Sequence, residues 1–137
     1  SHLGAKAARF SWPDKTDYLR NGIKHAWQSE SFRTLVSGRL DREDFTLQRT
    51  PIEYWPAELV RAAWMILAGE RISGGRTAYT DNWVWARLAD ANGDHSPRAL
   101  IQLLTAATDR ERLFEPGNPY TKSILRPRAL VESLAKK

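Results

Sequence analysis

The chain has 137 residues, with 21 Lys and Arg against 16 Asp and Glu and no cysteine. That length suits one domain able to bury a core, and the cysteine count excludes disulfides, thiolate metal ligands and a cysteine nucleophile. The formal charge of +5 favours anionic partners, yet basic residues alternate with acids and the one adjacent Lys/Arg pair is Lys136-Lys137.

Ser1-His2-Leu3 lacks an initiator methionine and reads as a vector scar, so residues 1–13 are expected to be scar and lead-in. Residues 14–137 are expected to form a single α-helical domain taken from a larger protein, because Lys136-Lys137 ends the chain inside a helical pattern with no C-cap. The most apolar run, 57–69, is broken by Glu58 and Arg61 and falls short of the ~20 residues a membrane span needs. Nothing in the composition suggests secretion, and a cytoplasmic protein without a membrane partner is expected.

The first helix is predicted over 15–30, capped by Asp14 or Thr16, with Leu19, Ile23, Ala26 and Trp27 on one side. Gly22 weakens it by up to about 1 kcal/mol relative to alanine and marks a bend or a close approach by another segment. Ser31 is read as the cap of a short helix over 32–37, closed by Gly38. Residues 39–54 lack a clear period and read as a connection with a helical turn near 42–45, punctuated by Thr50-Pro51 and Trp55-Pro56.

From Pro56 the pattern sharpens. Leu59, Val60, Ala63, Trp64 and Leu67 predict an amphipathic helix that stops at Gly69, a left-handed C-cap. Residues 70–80 contain Gly74-Gly75 and read as a basic loop through Arg71 and Arg76; Asp81 is then expected to cap a helix over 82–89. The turn Asn92-Gly93 leads to Ser96-Pro97, which predicts the N-terminus of the helix that organises the chain. Along 97–113, Leu100, Leu103, Leu104 and Ala107, followed by Phe114, make an apolar stripe, while Arg98, Gln102, Thr105, Asp109 and Arg112 make an outward polar face. After a loop at 115–119, Pro127 opens a last helix with Leu130, Val131 and Leu134. No strand-like alternation is found, and the expected fold is mainly α, a compact orthogonal domain of about five to six helices.

Pro97-Arg98-Ala99-Leu100 recurs as Pro127-Arg128-Ala129-Leu130, which a generic proline-led helix start explains as well as a repeat does. The histidines at 2, 25 and 95 are scattered, so no metal site is expected. No GxxxxGK[ST] loop is present, and no local spacing joins a serine to His95 and Asp94 as a nucleophilic site, so no catalytic residue is assigned. Of the six tryptophans, Trp64 and Trp27 fit apolar stripes. Trp83 and Trp85, two apart, cannot share one helix face, which makes one of them a candidate interface residue. Arg98, in the first turn of its helix beside backbone N–H groups, is a candidate anion-sensing residue, and Arg128 repeats that geometry.

The run from Trp64 to Ala107 resembles the C-terminal part of a group of bacterial P-loop ATPases. The residues that carry the likeness are Trp64 through Gly69, Gly74-Gly75-Arg76, Tyr79 through Trp85, Leu88-Ala89-Asp90, Asn92-Gly93 and Ser96-Pro97-Arg98. Phe10-Ser11-Trp12 followed by a helix also resembles the segment those proteins place after their nucleotide-binding core. The resemblance implies a non-catalytic helical lid or accessory region whose partner is the nucleotide-binding domain of the parent protein. It also implies that ATP belongs to the parent, with no cofactor in this chain. In related ATPases an arginine opening a lid helix senses nucleotide phosphates, and Arg98 is the matching position here.

Two other functions are compatible with the residues. In a helix-turn-helix or winged-helix-like DNA-binding domain, Arg98, Gln102, Thr105, Arg112 and Arg76 are the candidate contacts; the connection 90–96 is longer than the usual tight turn, which a looser variant accommodates. In a protein interaction module, Trp83 or Trp85 is the anchor.

Overall fold

In the computed structural model, residues 14–41, 46–72 and 78–135 are described. Helix α1, Lys15–Ala26, starts where Asp14 Oδ1 accepts from the Thr16 backbone N–H at 2.7 Å, and it buries Tyr18, Leu19, Gly22 and Ile23. It ends before the predicted residue 30 because Ser29, not Ser31, caps the next helix by accepting from Phe32 N. That helix, α2, is Glu30–Leu40 and continues through Gly38. The predicted turn at 42–45 lies outside the described residues; a short 3-10 turn occurs instead at Ile52–Tyr54, after Pro51.

Helix α3, Ala57–Ala68, is buried along Leu59, Val60, Ala63, Trp64, Ile66, Leu67 and Ala68 and stops at Gly69, whose φ of 86° is positive as expected of a capping glycine, although its ψ of 168° is extended and not that of the predicted left-handed cap. The predicted loop then differs from the structure. Arg71–Ile72 (β1) pairs antiparallel with Ala78–Tyr79 (β2), in the register Arg71 opposite Tyr79 and Ile72 opposite Ala78. Two residues per strand are too few to show alternation in sequence.

Helix α4 is Thr80–Arg87, not 82–89, and Tyr79 rather than Asp81 occupies its cap position. The cause is Thr80. Its buried hydroxyl donates to Gly69 O and accepts from Trp64 Nε1, which draws the helix start back against α3. Helix α5, Pro97–Phe114, buries Leu100, Leu103, Leu104 and Ala107 and packs on α1 and on α6, Pro127–Ala135. The segment before α6 is tied to α3 by Ile124 N donating to Ile66 O and Leu125 N to Leu67 O.

The core is one continuous cluster to which all six α-helices of the described residues contribute. Trp55 and Trp64 are fully enclosed, and Trp27 meets Trp55 edge to face at 5.0 Å. The domain is mainly α, as the periodicity predicts, with a two-stranded hairpin added.

Candidate functional site

The start of α5 is seated by contacts from other elements, and Arg98 stands on its first turn. Ser96 is extended, Pro97 takes the first helical position and contributes no N–H, and the Ser96 side chain makes no cap bond. The first turn of this 18-residue helix therefore has no side-chain cap to offset its positive end.

Long-range contacts hold that end still. Tyr18 Oη on α1 donates to Ser96 O at 2.9 Å. His95 lies flat on Trp85, with centroids 3.4 Å apart and planes 2° from parallel, and its Nε2–H donates to Trp85 O at 2.8 Å. Tyr18 meets both rings edge-on, at 5.5 and 5.4 Å. The preceding turn closes on Asp90, whose Oδ1 accepts from Asn92 N and Asp94 N, with Gly93 at φ 81°. Burial pushes the Tyr18 hydroxyl from the ordinary 10.0 up to about 12, so it stays a donor into the alkaline range.

Arg98 projects from this fixed base. It is exposed and makes no hydrogen bond or ion pair with any described residue. The polar face predicted for α5 is exposed throughout, at Arg98, Gln102, Thr105, Asp109 and Arg112, although Arg112 is engaged by Asp109 at 3.5 Å.

The other expected site residues fare differently. Arg128 is not a second free guanidinium: Glu132, one turn on, pairs with it, and it lies 4.7 Å from the Phe114 ring centroid. Its hydrogen bond is also the main reason that the Glu132 carboxyl lies below its usual range. Trp85 stacks on His95 and meets Tyr18 edge-on, which accounts for its partial burial. Trp83 is half-buried with Arg87 5.9 Å from its ring. Arg76 lies outside the described residues.

Several contacts had no local signal in the sequence. The clamp of Tyr18, Trp85 and His95 joins residues far apart in the chain, as does the buried pair of Arg126 and Glu111, 3.0 Å apart. Asp81, expected as a cap, is instead a buried acid held by Arg61 at 2.9 Å and Lys15 at 3.3 Å. Burial pushes its carboxyl upward, but the Arg61 hydrogen bond and the charges of Lys15 and Arg61 outweigh that and hold it below the usual range.

Among the described residues no group of three or more His, Cys, Asp or Glu is placed to hold a metal ion, and no helix is long and apolar enough to cross a membrane. No family model matches the chain, and neither a curated protein nor a solved structure does.

Proposed function

We propose that this chain is a non-catalytic helical accessory or lid domain of a P-loop ATPase, in which Arg98 meets an anionic group, a nucleotide phosphate or an acidic side chain, on the nucleotide-binding domain. The observation that carries the reading is an exposed arginine without a described partner on the first turn of a rigidly seated helix. A guanidinium in that place adds its fork of N–H donors to the positive end of the helix, and both favour a phosphate or carboxylate. ATP is a ligand of the parent protein in this reading, and this chain supplies no phosphate-binding loop.

DNA binding is the second reading. It is favoured by the exposed run Arg98, Gln102 and Thr105 on one face of α5. Against it, α5 packs on α6 and α1 while α4 packs on α3 and the hairpin, an arrangement unlike a paired helix-turn-helix, and the hairpin precedes α4 instead of following α5.

The test is made on the full-length gene product. The reading requires a glycine-rich loop ending in Lys-Ser or Lys-Thr upstream of residue 1, and Arg98→Ala should lower ATP turnover at least about tenfold while Arg98→Lys restores part of it. Full turnover in Arg98→Ala overturns the role given to this residue. An electrophoretic shift of duplex DNA that weakens steeply with salt and is lost in Arg98→Ala replaces it with the second reading.

A further inference from the structure

A second cationic surface lies beyond the other end of α5. At ~1.5 Å rise per residue, the helix puts its C-terminus about 24 Å from Arg98, and the loop that follows brings Tyr120 and Lys122 to a groove of about 470 Å³. Two more cations reach the same groove from separate elements: Arg39 from the last turn of α2 and Arg71 from β1. One carboxylate, Glu70, accompanies them, 3.6 Å from Arg71.

The cations are differently held. Arg71 donates to Tyr79 Oη at 2.7 Å and lies 4.3 Å from that ring centroid, which fixes its guanidinium at the rim. Arg39 and Lys122 are exposed and have no hydrogen-bond or ion-pair partner among the described residues. The end of α3 also borders the groove, and a helix C-terminus ordinarily repels anions. Here the carbonyls of Met65, Ile66 and Leu67 already accept from Gly69 N, Ile124 N and Leu125 N, so that repulsion is muted. The remaining wall is apolar, formed by Met65, Ile66, Pro127 and the Tyr120 ring.

We propose that this groove binds a small organic phosphate with an aromatic or apolar body, its phosphates held by Arg39, Arg71 and Lys122 and its body laid against Met65, Ile66 and Tyr120. The volume lies within the ~300–1,000 Å³ of small-molecule sites. A nucleic-acid strand would need a longer cationic track with successive stacking rings, which this lining lacks.

The test uses this chain with ATP, inorganic triphosphate and a single-stranded oligonucleotide as probes, read by calorimetry at low salt. ATP should bind saturably, about tenfold tighter than inorganic triphosphate, because only ATP carries a body for the apolar wall. The double substitution Arg39→Gln with Lys122→Gln removes two exposed charges and should weaken ATP at least about tenfold with the thermal melt unchanged. Arg49→Gln removes an exposed cation that does not line the groove and should leave ATP affinity unaltered. Equal ATP affinity in the double variant overturns the proposal, as does triphosphate binding as tightly as ATP or the absence of saturable binding at millimolar ATP. Affinity that rises with oligonucleotide length would transfer the groove to nucleic acid and also overturn it.

Discussion

Gly22 on α1 faces Leu100 on α5 so closely that a Cβ on the glycine would stand 2.9 Å from Leu100 Cδ2 and 3.3 Å from Leu104 Cδ1. The missing side chain is what lets α1 and α5 approach. Leu100 follows Arg98 by two residues and is fully buried at 0% exposure, so this contact seats the turn that carries the guanidinium.

Gly22→Ala brings two opposed effects. Alanine is better than glycine in a helix interior by about 1 kcal/mol, whereas forcing a methyl into a filled core costs about 1–3 kcal/mol. Leu100 has no solvent to swing into, so overpacking should win, with a net loss of about 1 kcal/mol in urea unfolding at neutral pH. A stabilised Gly22→Ala protein would mean that the two helices separate easily.

The stripe is legible in the sequence, where the spacing of Leu100, Leu103, Leu104 and Ala107 predicts a buried face; Gly22 marks a bend or a close approach by another segment, and the Leu100 and Leu104 side chains make the approach. The outward placement of Arg98, Gln102 and Thr105 follows from the same period. Other features depend on partners distant in the chain. Thr80 starts α4 early because Gly69 O and Trp64 Nε1 await its hydroxyl, and Trp85 turns inward because His95 lies flat on it. Arg128 looked like a twin of Arg98 because both follow a proline, but a glutamate four residues on engages only the second. Helical period describes which way a side chain points and is silent on what a different element brings to meet it.

Asp81 should govern part of the acid sensitivity of the fold. Its carboxyl is 1% exposed and bonds Arg61 and Lys15 through Oδ2. The folded pKa lies below the ordinary value, so the pair's contribution is complete above the unfolded pKa of about 3.9 and is lost as pH falls through the folded one. Asp81→Asn should lower stability at neutral pH by about 2 kcal/mol, the scale of a hydrogen bond to a charged group. Urea midpoints of the two proteins should converge as pH is lowered below about 4; a constant difference would show that the charge of Asp81 contributes nothing.

Tyr18 presents the opposite sign at the other end of the pH range. Its hydroxyl donates to Ser96 O at 2.9 Å, and burial moves its pKa from the ordinary 10.0 to about 12. Between those two values the unfolded chain gives up the phenolic proton while the folded chain keeps it, so stability drains away as pH rises. Tyr18→Phe deletes the bond to Ser96 and should cost about 0.5–1.5 kcal/mol near neutrality. The same variant has no phenol at this position to ionise, so its stability should fall less steeply over that alkaline interval and the gap to the natural protein should close. Parallel slopes for the two proteins would mean that the tyrosine ionises as easily in the fold as outside it, and that the start of α5 is held by the stacked rings of Trp85 and His95 without help from α1.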